Sequence, residues 1–263
     1  MARNFDGITD YLTLADNASL TLPDGDWTIA GQMRLTDMSG TSHHYFLSHG
    51  AFDATPSINW YVQSGSKYLT VNFKDDDGTS APITDTAIDT VAWRHVLLQR
   101  DADTIRQFVD GVARGTCSAT NFNSCDVGEP LYLGTRSNLP GTRYFQGDLA
   151  EWAKWNVALS SDEIARLVAG VRPVDIGRRP AWYLPMCGGL HEEINAVAVN
   201  NFGAVASEHP PRAVYASAPR VLRAISSFIA GPYQVLAAET GGCGTTAAGV
   251  FSTGITRGQV NEQ

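Results

Sequence analysis

The chain has 263 residues, 43% of them hydrophobic and only 17% charged, which is the make-up of a folded globular protein and not of a disordered one. Its 19 Lys and Arg stand against 27 Asp and Glu, a net charge of −8 with no basic run, and this argues against nucleic acid as a partner. No run approaches the ~18 apolar residues that span a bilayer, so no membrane partner is expected.

From residue 3 to residue 160, short apolar runs alternate with turn clusters, the rhythm of an all-β sandwich or barrel. The turn clusters include Pro23-Asp24-Gly25-Asp26, Asp75-Asp76-Asp77-Gly78, Asp110-Gly111 and Leu139-Pro140-Gly141. Asp110-Gly111 is the clearest hairpin, because both residue types accept the positive φ of a type I′ turn. In residues 58–63 Ile58, Trp60 and Val62 alternate with Asn59, Tyr61 and Gln63; in residues 68–73 Leu69, Val71 and Phe73 alternate with Tyr68, Thr70 and Asn72. Residues 145–164 read as a strand handing over to a helix. Regular alternation puts Leu149, Glu151 and Ala153 on one face of that strand and Ala150, Trp152 and Lys154 on the other. Ser160 and Glu163 have capping-box spacing, so a short helix is predicted over residues 161–169, with Gly170 as its stop and Pro173 preventing continuation. The last strands are predicted at residues 182–186 and 197–202. The chain then changes character: residues 207–263 hold seven charged side chains and end in a Gly/Ala/Thr-rich stretch. Within them residues 219–230 fit one amphipathic helix with Val221, Leu222, Ile225, Phe228 and Ile229 on one stripe, a C-terminal arm that needs something to pack on.

Phe5-Asp6-Gly7, Trp27-Thr28-Ile29, Leu69-Thr70-Val71, Trp93-Arg94-His95-Val96, Val109-Asp110-Gly111, Leu131-Tyr132-Leu133-Gly134 and the closing FQGDLAEWAKWNVALSSDEI follow one another in an order that resembles the laminin-G-like domains of the concanavalin A-like lectin/glucanase superfamily. The resemblance covers residues 3–206. It implies a jelly-roll β-sandwich over residues 1–206 with one short helix, followed by the arm, residues 207–263.

The superfamily includes glucanases, which hold two carboxylates on one strand face as E-x-D-x-x-E or E-x-D-x-E. No such string occurs. Asp148 and Glu151, spaced by three, are expected on opposite faces, and Glu192-Glu193 is expected to be solvated. With no phosphate loop or nucleophile elbow either, no enzyme is expected. His95 reads as a packed sheet histidine, and Trp27, Trp93, Trp152 and Trp155 as core. Cys117 and Cys125 read as isolated thiols, although hairpin neighbours could pair. Many laminin-G-like domains bind calcium, and Asp75, Asp76 and Asp77 supply hard oxygens in a turn; they lack EF-hand spacing, so a calcium site and a solvated hairpin tip both stay open. The alternating strands place Tyr61, Gln63, Tyr68 and Asn72 on one outer face, which reads equally as a glycan platform, a protein-docking surface or an ordinary polar sheet face.

The resemblance extends to structural proteins of bacteriophage particles. Because the N-terminus lacks a charged-then-apolar export segment, the expectation is a non-enzymatic virion protein assembled in the host cytoplasm, a capsid decoration or tail-associated adhesion subunit. Its expected partners are other virion proteins, further copies of itself and a surface glycan. A free carbohydrate-binding module is the alternative.

Overall fold

The computed structural model describes residues 2–36, 42–52, 54–88, 92–137, 143–186 and 192–211. In chain order the elements are β1 (Ala2–Asp6), β2 (Tyr11–Leu14), β3 (Trp27–Leu35), β4 (His44–His49), β5 (Ser57–Val62), β6 (Tyr68–Lys74), β7 (Ile83–Ala87), β8 (Arg94–Asp101), β9 (Thr104–Val109), β10 (Val112–Ser118), β11 (Leu131–Leu133), β12 (Gln146–Trp155), the helix α1 (Ser161–Val168), β13 (Trp182–Leu184), β14 (Val199–Phe202) and β15 (Val205–Ser207). The strands form two antiparallel sheets. One has eight strands in the order β10-β9-β8-β3-β12-β1-β15, with β13 also pairing β12; the other has seven, β14-β2-β11-β4-β5-β6-β7.

Alternation decides what lies between the sheets. Ile58, Trp60 and Val62 of β5 and Leu69, Val71 and Phe73 of β6 point inward, where they meet Trp27, Met33, Phe46, Phe145 and Trp152. A second apolar cluster sits on the outer face of the eight-stranded sheet. There Ile164 and Leu167 of α1 cover Ala30, Leu97, Ala153, Trp155 and Tyr183. The helix that closes this cluster carries the predicted capping box, Ser160 and Glu163 each bonding the other's backbone N–H. It ends where Gly170, at φ +85°, sends its N–H to the Leu167 carbonyl while Val171 reaches back to Arg166, a Schellman stop. Asp110 and Gly111 both take positive φ at the β9–β10 turn, as their chemistry predicts.

Strand β12 departs from regular alternation. Its register against β3 shifts between Ala150 and Ala153, and Glu151 sits at φ +56°. This bulge inserts one extra residue and changes the phase of the pleat. Leu149 and Trp152 therefore both face the inter-sheet core, while Ala153 and Trp155 face the cluster under α1. The expected grouping of Leu149 with Ala153 is corrected accordingly. So is the expected separation of Asp148 from Glu151, since both lie on the outer face. Each is already occupied: Asp148 pairs with Arg34 at 2.9 Å and accepts from Asn4, and Glu151 accepts from the Tyr183 hydroxyl and meets His209 Nε2 at 2.6 Å.

Glu192, Trp93 and the Asp75–Asp77 run have these surroundings. Glu192 is buried, its carboxylate accepting the backbone N–H groups of Tyr183, Ile194 and Asn195 and so tying β13 to the chain that follows. Trp93 precedes β8 and is half-buried beneath the Arg34 guanidinium at 5.2 Å, so it is a rim residue and not core. The Asp75 carboxylate accepts backbone N–H groups from Asp77, Thr79 and Asn123, while Asp76 accepts from Ser124 Oγ and the Asp126 N–H, and Asp77 from Asn123 Nδ2.

The aspartate triplet thus fastens the turn after β6 to residues 123–126. The carboxylates serve this junction, and among the described residues no group of three acidic, His or Cys side chains is placed to hold a metal. Cys117 and Cys125 are free thiols, both pushed up in pKa by burial.

The sandwich retains the chain beyond residue 206: Ser207 pairs with Ala2 in β1, and His209 reaches Glu151. The compact unit spans Met1–Leu222 and a second unit Arg223–Gln263. The arm residues Val221, Leu222, Ile225, Phe228 and Ile229 lie outside the described residues.

Candidate functional site

The outer face of the seven-stranded sheet is built by register. Directly opposed residues on antiparallel strands share a face, so the pairings Asn200↔Thr13, Thr13↔Tyr132, Tyr132↔Ser48, Ser48↔Asn59 and Asn59↔Asn72 carry one row of polar side chains across six strands. The row is hydrogen bonded within itself. Asn200 Nδ2 donates to Thr13 Oγ1 at 3.3 Å, and Ser48 Oγ donates to Asn59 Oδ1 at 2.7 Å.

Beside this row lie two aromatic groups. Tyr11 stacks on Phe202 with centroids 4.3 Å apart, and Tyr132 and Tyr144 stand 6.1 and 6.5 Å from Tyr11. Phe202 is 44% exposed, and the three tyrosines are half-buried. Farther along the sheet Tyr61 is held between Tyr45 at 4.6 Å and His43 at 5.2 Å, and both tyrosines are buried. Two described residues that follow β11, Ser137 and Arg143, reach this part of the face. Ser137 N donates to Ser48 Oγ at 3.1 Å and its hydroxyl to the Gly50 carbonyl, and the Arg143 side chain bonds the Tyr45 hydroxyl. Burial, then Tyr61, pushes the Tyr45 phenol up to about 12, with Arg143 and Arg136 opposing. Burial and neighbouring phenols also raise Tyr132 and Tyr144. These hydroxyls are therefore donors at neutral pH.

Of the residues the sequence singled out, Tyr61 and Asn72 do meet on this face, where Asn72 Nδ2 donates to the Tyr61 hydroxyl at 3.3 Å. Tyr61 is 5% exposed, so it supports the face from within. Gln63 and Tyr68 sit at the hairpin end of β5 and β6: Gln63 accepts from Ser66 Oγ, and Tyr68 is exposed. Sequence reasoning missed Tyr11, Tyr132, Tyr144 and Phe202. The signal for two of them was present, since Tyr11 precedes the inward Leu12 and Leu14, and Tyr132 stands between the inward Leu131 and Leu133.

The architecture is a lectin-like two-sheet sandwich with an outward row of amides and hydroxyls beside accessible rings. Residues 6–165 match the laminin-G-like family model described as the concanavalin A-like lectin/glucanases superfamily, and the chain belongs to that family. No curated protein sequence matches it. Among solved structures it is similar to a putative carbohydrate-binding protein of Bacteroides ovatus, with 17% identity and a TM-score of 0.56 over 80% of this chain and 60% of that one. It is also similar to the CBM40 module of the Ruminococcus gnavus IT-sialidase, bound to α2,3-sialyllactose, with 16% identity and a TM-score of 0.52 over 64% of this chain and 96% of that one. At these identities the likeness is one of fold.

Proposed function

We propose that this protein is a non-enzymatic glycan-binding sandwich whose binding surface is the outer face of the seven-stranded sheet. The observation that carries the reading is the accessible aromatic group of Tyr11, Tyr132, Tyr144 and Phe202 beside Asn200. Ring faces take up the apolar C–H patches of a pyranose, and phenols and amides address its hydroxyls. The test is titration calorimetry of the full chain with oligosaccharides first selected on a glycan array. Phe202→Ala is expected to weaken binding about tenfold, the equivalent of one lost aromatic contact. Unchanged affinity in both Phe202→Ala and Tyr11→Ala would move the site elsewhere.

The setting we propose for this module is the bacteriophage particle, where it serves as a decoration or tail-associated adhesion subunit and the C-terminal arm joins it to further copies or to other virion proteins. What supports this is the weakly charged composition of residues 207–263 and the stripe at residues 221–229. Light scattering separates the cases. The full chain is expected to form a defined oligomer, and a chain ending at Pro211 a monomer. The cut falls after Pro211 because His209 is bonded to Glu151. Two monomers would end the self-assembly reading.

A further inference from the structure

The helix α1 has two flanks, and the chain treats them differently. On one, Leu167 and Val171 lie beside Pro210 and Pro211, the last described residues. On the other, α1 and the β9–β10 hairpin border a groove of about 730 Å³. Its apolar lining is Phe108, Val112, Leu159, Ile164, Ala165 and Val168. Val112 is 55% exposed, Ala165 is exposed, and Phe108 and Val168 are half-buried. The groove extends the cluster beneath α1, since Leu159 and Ile164 belong to that cluster and Phe108 and Val168 pack against it. An open apolar surface of this size, continuous with a core, is of the kind that docks a partner.

The chain beyond Pro211 supplies a complementary segment. Val221, Leu222, Ile225, Phe228 and Ile229, which lie outside the described residues, recur at the three-, four- and seven-residue spacings by which a helix anchors in an apolar groove. A helix as short as residues 219–230 is marginal by itself and gains from such a seat. Charge matches as well. Residues 209–238 hold Arg212, Arg220 and Arg223 and no carboxylate, in a chain of net charge −8. The groove sets Asp101 and Asp110 against Arg106, and the exposed Asp162 follows its lining residue Ser161 in the first turn of α1. Residues 212–218 separate the last described residue from the segment and reach at most about 25 Å, enough to cross to an adjoining molecule.

We infer that the groove between α1 and the β9–β10 hairpin receives residues 219–230 of a second copy of this chain. The inference rests on the self-assembly reading of the C-terminal arm. Each copy then gives one arm and receives one, a head-to-tail contact of the kind that builds rings or filaments. The test is the mass of the full chain by light scattering over a dilution series, and the wild type is expected to form an oligomer. Val112→Lys and Ala165→Lys put a cation into the groove at exposed positions on two different elements, and Phe228→Lys puts one into the stripe. Each is expected to raise the concentration needed for association about tenfold or more. An unchanged melting midpoint in either groove variant confirms its fold. The decisive sample mixes Val112→Lys with Phe228→Lys at a concentration where each alone is a monomer. The first chain still offers a sound arm and the second a sound groove, so the mixture is expected to contain a species of two-chain mass. Association like that of wild type in both groove variants overturns the inference and leaves the self-assembly reading standing. A mixture that stays monomeric does the same, because arm and groove are then not the two halves of one contact. A wild-type chain that is monomeric throughout overturns the self-assembly reading, and the inference with it.

Discussion

Trp152→Ala is expected to destabilise the protein by about 3–5 kcal/mol, the range for truncating a fully buried Trp. That is a large part of the ~5–15 kcal/mol that holds a typical domain together. Trp152 has no exposed surface, and its ring meets Phe46 at 5.6 Å and Trp60 at 6.0 Å. Gly31, opposite on β3, has no side chain because a Cβ there would come within 2.4 Å of the ring. Gly31 offers no side chain to fill the space that alanine would leave, so a cavity term adds to the transfer term. Trp152→Phe should cost much less, since it keeps most of the ring and removes an indole N–H that has no partner. Urea unfolding of the two variants measures both. A loss below about 1 kcal/mol for Trp152→Ala would mean that the two sheets can close the gap, against the packing argument.

The second large effect is a dependence of stability on pH. His95 is buried, and burial, partly offset by the Asp110 charge, lowers its pKa from the ordinary 6.5 to about 4. An unfolded chain takes up a proton on this side chain below pH 6.5, and the folded chain does so only near pH 4. The contribution of neutral His95 is therefore fully present above pH 6.5, is lost as the pH falls toward 4, and changes little below that. The shift corresponds to about 3 kcal/mol. His49, also lowered by burial, acts in the same direction. Carboxylates held below their ordinary range, such as Asp6 and Glu163, lose their contributions only at more acid pH. Unfolding free energies of wild type and His95→Gln between pH 7 and 4 isolate the term: the variant is expected to lose about 3 kcal/mol less over that interval. Parallel curves would show that His95 takes up its proton without unfolding.

Much of the fold was legible because its signals are local. The Ser160/Glu163 box, the Asp110-Gly111 turn and the strict alternation of β5 and β6 each fix backbone geometry over a few residues. The family resemblance then supplied the order of strands that no local rule provides. The phase of β12 was not legible: a bulge looks like any other strand residue until its partner strand is known, and nothing about Glu151 announces positive φ. Glu192 and the Asp75–Asp77 run misled for a related reason. A carboxylate reads as solvated or metal-seeking in sequence, whereas here backbone N–H groups brought by distant segments receive it. The candidate site was half legible. Tyr61 and Asn72 are near neighbours in sequence, but Tyr11, Tyr132 and Phe202 come from strands more than 60 residues apart at the closest and meet only through sheet topology.

The described residues end on one side of the sandwich, and the accessible rings lie on the other. His209 is bonded to Glu151 on the outer face of the eight-stranded sheet, and Pro210 and Pro211 lie beside Leu167 and Val171 near α1. Tyr11, Tyr132 and Phe202 are on the outer face of the opposite sheet. Any tether that grips the polypeptide just past Pro211 therefore holds the sandwich from behind, with the Tyr11–Phe202 face turned away from the anchor.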